Sequence, residues 1–460
     1  MIRTKGPINK VEIARVTDLS IPTVMKLTDV FIRNGLVRMI GKGESNGGKR
    51  PELLEFIPDA YYIVGVDVGR SKMKVVVTDL GGNIISKQVA LTGRDASPEK
   101  IIDRLKTLIE TTINESTVEK AKLIGMGIGM PGLLDVENGI VLFSPDFHWE
   151  NVNLIKPISN FFQMPIHLEN SNRAQAMGEK WFGIGVDSDY FISVSLGHGI
   201  GSAIVEEGEF YRGSSGSSGE LGHVTLDKEG PCCDCGNYGC LEVLASGNAI
   251  AGQAQKLILD GKPTSMLALA GGDASNVDAK IVFDAARSDD AAARRLVDQA
   301  AEYIGIGLAN YINLLDPDMI ILAGGLTHAG DILTDGIKKT AKERQMKFAG
   351  RKVKICVAKL GDDGKTGKSL PQCFLIDCTI SVAKRSRFSR LPPKRSVRWF
   401  IFLILNWSSK QVVLDVVNFG GVFVQTVKHI LHMELPQLQQ AAPNYLCRVF
   451  VAGNSDIWPR

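Results

Sequence analysis

Gly219-Glu220-Leu221-Gly222-His223 is followed, after a short loop, by Cys232-Cys233-Asp234-Cys235-Gly236-Asn237-Tyr238-Gly239-Cys240-Leu241-Glu242. Four of the chain's eight cysteines crowd into this stretch, which in a reducing cytosol reads as metal binding and not as disulfides. Thiolates from Cys233, Cys235 and Cys240, with the His223 imidazole, supply the four tetrahedral ligands of a Zn²⁺ ion, and Gly236 and Gly239 ease the tight chain path. No position is left open for a metal-bound water, so the expected zinc is structural. Cys232 is a spare thiol able to exchange roles with Cys233, and a redox or free-thiol cluster is the competing reading.

Strands that run into glycine turns lie on both sides of this motif. Ile63-Val64-Gly65-Val66-Asp67-Val68-Gly69 reads as a buried strand ending in an acid and a glycine; a second strand runs from Met73 to Leu80 and a third follows Gly81-Gly82-Asn83. Another unit spans Tyr190 to Val205, with Gly197-His198-Gly199-Ile200-Gly201 in its turn, and the strand Met319 to Leu322 leads into Ala323-Gly324-Gly325. A strand, an Asp/Gly turn and a returning strand resembles the arrangement by which actin-like sugar kinases hold a nucleotide's phosphates and metal. One such turn is a weak signal; three in order are much harder to obtain by chance.

With 44% hydrophobic and 22% charged residues over 460, the chain is neither disordered nor fibrous and is long enough for two or three domains. Its net charge of +3 hides a split: residues 1–50 carry +6, residues 51–363 carry −12 and residues 364–460 carry +9. A basic head on an acidic body points to a polyanion partner for the head. Met1 to Lys10 is polar and broken by Gly6 and Pro7, so no secretory signal is read. The most apolar run, Trp399 to Leu405, is far shorter than the roughly 20 residues of a membrane helix. A cytoplasmic protein without membrane contact is expected.

Within the head, Asn9-Lys10-Val11-Glu12 fits a capping box before apolar Ile13, Ala14 and Val16. After Thr17-Asp18-Leu19, Ser20 caps a second helix with Pro22 in its first turn and an apolar stripe of Val24, Leu27 and Phe31, which stops at Asn34-Gly35. Two short helices with Ser20, Thr23 and Lys26 near the start of the second form a helix-turn-helix pattern. Leu36–Ile40 and Leu53–Phe56 read as strands flanking a flexible basic wing. Lys26, Lys42, Lys49 and Arg50 are then candidate phosphate or groove contacts. The alternative is a helical interaction module whose charges merely face solvent.

Taken with Gly129-Met130-Pro131-Gly132, Leu168-Glu169-Asn170 and the wing ending Gly48-Lys49-Arg50-Pro51, the motif at 219–242 makes the chain resemble the ROK family of repressors and sugar kinases over roughly residues 5–363. The resemblance implies an α/β, actin-like (ribonuclease H-like) two-lobed fold at 59–363, preceded by a small α+β winged helix-turn-helix at 1–58. It also implies a sugar between the lobes, held by Asn170, Glu220, His223 and Glu242; the competing reading makes Asn170 and Glu242 ordinary surface or capping residues. Carboxylates and an amide suit adjacent sugar hydroxyls, and His223 can give one ring nitrogen to zinc and the other to the sugar. Residues 364–460 depart from the family and read as an anomalous basic tail of frame-shifted or fused origin and low structural order.

Kinases of the family resemble Glu-Asn-Asp-Ala-Asn, whose Asp is the general base, whereas this chain has Glu169-Asn170-Ser171-Asn172. Serine near its ordinary pKa is no base at neutral pH, and removing one lowers rates by about 10² to 10⁴. Arg70-Ser71 stands where Gly-Thr is usual after Asp67 and Gly69, and His198 stands for Thr among Gly197, Gly199 and Gly201. Bulk there opposes close approach of phosphate, although Asp67 remains. The expected function is a sugar-responsive repressor of carbohydrate genes, for example those of xylose or glucose use. It would bind operator DNA as a homodimer or higher homo-oligomer and lack enzymatic activity. The alternatives are an ATP-dependent sugar kinase and a sugar-binding scaffold with no DNA role.

Overall fold

A computed structural model of the chain describes residues 1–43, 50–93, 97–347 and 352–360, and the backbone of 400–406 and 411–417. The head comprises helices α1 (Ile2–Lys5), α2 (Lys10–Thr17) and α3 (Ile21–Arg33) and strands β1 (Ile8–Asn9), β2 (Val37–Lys42) and β3 (Glu52–Phe56). Asn9 Oδ1 accepts the Glu12 amide at 2.9 Å and Ser20 Oγ accepts that of Thr23 at 3.4 Å, so both helices start where the capping residues stand. Asp18, left-handed at φ 55°, makes the turn between them. Ile8, Ile13, Ala14, Val24, Val37 and Leu54 form the head's small core. β2 and β3 pair as the wing, with an irregularity between Met39 and Gly41. Two elements escape sequence reading: α1, whose Met1 and Ile2 pack on the core, and β1, which adds to the free edge of β3.

The body repeats one topology twice. Strands β4 (Tyr62–Val68), β5 (Lys72–Asp79) and β6 (Ile84–Leu91) form an antiparallel meander, and β7 (Leu123–Met130) and β11 (Ile166–Asn170) extend it in parallel, giving the order β11-β7-β4-β5-β6. Between them lie α4 (Pro98–Glu115), the hairpin strands β8 (Leu133–Asp135), β9 (Ile140–Ser144) and β10 (Trp149–Asn153), and α5 (Ile155–Phe162). The near-continuous apolar run of β4 is explained by burial on both faces.

After α6 (Ser171–Phe182), β12 (Phe191–Leu196), β13 (Ile200–Glu206) and β14 (Glu209–Phe210) form the second meander. Then come α7 (Leu241–Ala245), α8 (Gly247–Leu259), α9 (Met266–Leu269), α10 (Ala279–Arg287) and α11 (Ala291–Leu315). β15 (Met319–Ala323), α12 (Asp331–Arg344) and β16 (Lys354–Val357) complete the order β14-β13-β12-β15-β16. The β4–β5 turn and the β12–β13 turn therefore occupy equivalent places in two equivalent sheets. After β15, Gly324 takes φ 91° with the backbone of Leu196 against its α-carbon, where a side chain would collide.

Helix α6 bridges the lobes. It leaves the end of β11 in the first sheet and packs on β12 and β13 of the second, with Ala176 in a cluster with Phe191, Ala203, Val205 and Ile321. Immediately before it, the fully buried Glu169 carboxylate is gripped by Arg212, which follows β14: Nη2 donates to Oε2 at 2.6 Å and Nη1 to Oε1 at 3.3 Å. Burial works to raise the Glu169 pKa, but the His167 hydrogen bond and the Arg212 charge outweigh it and hold the carboxyl at about 2.

Among the described residues no helix is long and apolar enough to cross a membrane. Lys49 and the rest of the wing tip, 44–49, lie outside the described residues, as does most of 361–460, so the expected low order of the tail is not addressed. Within that tail β17 (Phe400–Asn406) and β18 (Gln411–Val417) pair antiparallel. Both are almost unbroken apolar runs, so no alternation announces them as strands in the sequence.

Glu169→Gln preserves shape but leaves Arg212 without its counter-charge, and breaking one member of such a pair costs on the order of 3 kcal/mol. Scanning calorimetry is expected to show melting several degrees below the parent at neutral pH. The carboxyl sits at about 2 when folded against roughly 4.3 unfolded. Its contribution is therefore complete above the unfolded value and is lost as pH falls from about 4 toward 2. Melting curves that overlay the parent's at pH 7 would show that the bridge stabilises nothing.

Candidate ligand cleft and metal centre

The turns at the ends of the two meanders and the start of α6 converge. Asn170 caps α6: its Oδ1 accepts the Asn172 amide at 2.9 Å and its Nδ2 donates to the Gly132 carbonyl at 3.1 Å. Ser171, nearly buried, points its hydroxyl at the Asp67 carboxylate, 3.4 Å away. Asn172 lies against the α-carbon of Gly201 and the Glu242 carboxylate against that of Gly199, so a β-carbon at either position would require the neighbouring side chain to shift. Glu242 Oε2 also accepts the Ile200 amide at 2.8 Å.

Glu220 opens to water while protein surrounds it. Burial raises its pKa; His223 and Arg173 oppose this and Glu242 reinforces it. Asn170, Glu220, His223 and Glu242 thus fall in one region, together with Asp67 and Ser171. Arg173 was not anticipated. It is nearly buried, ion-paired to Glu169 at 3.6 Å, and donates to the Gly216 carbonyl. Arg212 is likewise invisible in the sequence, since its partner lies far along the chain and no local pattern marks either residue.

Each glycine turn has amides that bond within the protein. Gly69 N–H donates to the Lys72 carbonyl at 3.1 Å, Gly197 N–H to that of Gly199 at 2.9 Å, and Ile200 N–H to Glu242. The first amides of α8 are engaged too, Gly247 with the Gly197 carbonyl at 2.9 Å and Asn248 with that of His198 at 3.2 Å. Arg70 forms a 3.1 Å ion pair with Asp146.

Beside the cleft, one ligand atom from each of His223, Cys233, Cys235 and Cys240 lies within 4.8 Å of every other. The His223 Nδ1 to Cys233 Sγ distance is 3.7 Å and the Cys235 to Cys240 Sγ distance is 3.8 Å. A tetrahedron with Zn–S bonds of about 2.3 Å has edges of roughly 3.8 Å, so the donors fit that ion. Cys232 turns its thiol to the Cys233 carbonyl at 3.7 Å, which leaves Cys233 as the ligand of the pair. Burial pushes the Cys233 thiol up to about 12 and raises that of Cys240, so a metal bound here would have to displace their protons.

On the head, Lys26, Lys42 and Arg50 are exposed, while the Ser20 and Thr23 hydroxyls bond each other at 2.8 Å. Arg3 of α1 reaches the body. Its guanidinium lies 4.8 Å from the ring centroids of both Trp181 and Phe182 and donates to the Trp181 carbonyl at 3.4 Å.

Comparison with known proteins places this geometry. The xylose repressor of Caldicellulosiruptor bescii is 32% identical over 355 residues, 77% of this chain and 88% of that protein. The glucokinase of Thermotoga maritima is 36% identical over 275 residues, 59% of this chain and 84% of that enzyme. A crystal structure of a ROK family transcriptional regulator, described as a homologue of the E. coli MLC protein, superposes with a TM-score of 0.71 at 28% identity, covering 82% of this chain and 94% of that one. These likenesses confirm the two-lobed α/β fold. With residues 63–368 matched by the model of the ROK family, the chain belongs to that family.

Proposed function

We propose that this chain is a sugar-responsive transcription repressor. Residues 1–58 bind operator DNA, residues 59–363 take a sugar effector such as xylose in the cleft, and no phosphoryl transfer follows. The observation that carries this reading is Ser171: the cleft gathers hydroxyl-binding groups, yet a serine facing Asp67 stands where the kinases of the family place their base. The repressor relative also aligns over a longer stretch than 63–368, and the regulator structure covers more of this chain than does the glucokinase alignment.

The glycine turns support the loss of phosphoryl transfer. The Gly69, Gly197 and Ile200 amides already have acceptors within the protein, and Arg70 and His198 add bulk where a phosphate would approach. Asn170 contributes its second amide hydrogen, Glu220 and Glu242 accept from hydroxyls, and His223 offers Nε2 to the sugar while Nδ1 faces the thiols. Zn²⁺ held by His223, Cys233, Cys235 and Cys240 would fix the imidazole ring and the start of α7, which carries Glu242. The favoured second reading is residual kinase activity, because Asp67 is retained and a glucokinase is among the relatives. The repressor acts in the cytoplasm as a homodimer or higher homo-oligomer reading paired half-sites.

Helix α6 supplies the route from sugar to DNA. Its first residues line the cleft and its last two, about 15 Å away, hold Arg3 of the head. A sugar that binds closed lobes more tightly than open ones shifts their balance, and with it the position of α6 and of the head.

Arg3→Ala is expected to leave sugar affinity and sugar-free DNA affinity within about twofold while reducing the factor by which sugar changes DNA binding, typically 5–150, toward unity. Titrations with and without sugar measure it, and an unchanged factor would disprove the route. Elemental analysis should find about one zinc per chain in the parent and in Cys232→Ser, but not in Cys235→Ser, which should also lose sugar binding; a parent purified gently without zinc removes the metal assignment. Glu242→Ala should abolish the sugar's effect on operator release. With glucose, xylose or N-acetylglucosamine the parent should consume no ATP, and brisk turnover would make the chain a kinase.

A further inference from the structure

The outward face at the start of α3 does not look like a reader of polar base edges. Val24 and Thr28 are buried toward the head, and the opposite side presents Ile21 and Met25, one turn apart and each 47% exposed, with Pro22 exposed beside them. No Arg, Asn or Gln stands in α3 before Arg33, so adenine's bidentate partners are missing from its leading turns and Lys26 is the one side chain there that could pair with guanine. Ser20 and Thr23, the polar residues there, are bonded to each other and to the helix cap. Asp29 is neutralised by Lys10 at 3.1 Å.

An exposed Ile–Met pair beside the exposed Lys26, on a head that also carries the exposed cations Lys42 and Arg50, suits a partner that is anionic at its margin and apolar at its centre. In the major groove the one apolar feature on a base edge is the C5-methyl of thymine; every other edge offers donors or acceptors that Ile and Met would leave dry and unpaired.

We propose that Ile21 and Met25 read the C5-methyl groups of adjacent thymines in each half-site, while Lys26 and the wing cations hold phosphates without regard to sequence. This rests on the reading of the head as the DNA-binding unit.

The test uses the full chain and a randomised duplex library. Retained duplexes are expected to share neighbouring thymines in each half-site. Replacing those thymines by uracil removes only the methyl and should weaken binding roughly fourfold per methyl. Ile21→Ala and Met25→Ala alter exposed side chains, and each should bind thymine and uracil duplexes with a smaller difference than the parent. Lys26→Ala should weaken both duplexes equally. A parent that binds thymine and uracil duplexes alike, or selects sites without paired thymines, overturns the inference alone. Retention of no duplex at all overturns the DNA-binding reading and the inference with it.

Discussion

The Glu169 carboxylate, fully buried at the end of β11, is tenable only because Arg212 reaches it from beyond β14 and His167 and Arg173 stand close by. An isolated ionised carboxylate in that position would protonate or unfold its surroundings. The bridge joins the first sheet to the chain that follows the second meander. It therefore fixes where α6 begins, and α6 in turn sets where Asn170, Ser171 and Asn172 meet the glycine turns. Glu179, near the far end of the same helix, accepts the amides of Ile184 and Leu360 at 3.0 Å each, so both ends of α6 are anchored through carboxylates.

On the proposed reading, recognition and chemistry come apart in one place. A sugar kinase needs hydroxyl-binding groups, a base and a bed for phosphate in register. Asn170, Glu220, His223 and Glu242 are side chains of the hydroxyl-binding kind beside the thiol cluster, while the residue that faces Asp67 is a serine. Coupling a ligand to a change of shape requires only that the two states bind it unequally.

Features written in consecutive residues were legible in the sequence. Asn9 and Ser20 mark helix starts because a cap acts on amides two or three residues away. The runs at 63–69 and 319–325 announce strand and turn because burial and glycine act locally, and the Cys233, Cys235 and Cys240 spacing left the metal set nearly determined, with the structure choosing Cys233 over Cys232. Asn170 shows the limit: its chemistry suits a sugar hydroxyl, yet its carbonyl caps α6, a use no spacing distinguishes from the other. Ser20 and Thr23 are similar, being partners of each other. Arg212 with Glu169, and Arg3 with Trp181, lie beyond any local reading, since each is defined by two distant residues whose meeting depends on the completed fold. β1 is two residues long and exists because the edge of β3 is there to pair with.

The glycines of the 197–201 turn show what a motif does and does not specify. In a nucleotide-binding turn, glycine admits phosphate to the backbone. In this chain the ends of the Glu242 and Asn172 side chains lie against Gly199 and Gly201, and a β-carbon there would require them to shift. Glycine therefore leaves room for a close neighbour without saying whether that neighbour is a ligand or the protein itself. On the proposed reading, the residue that separates sensor from catalyst is the one facing Asp67, Ser171.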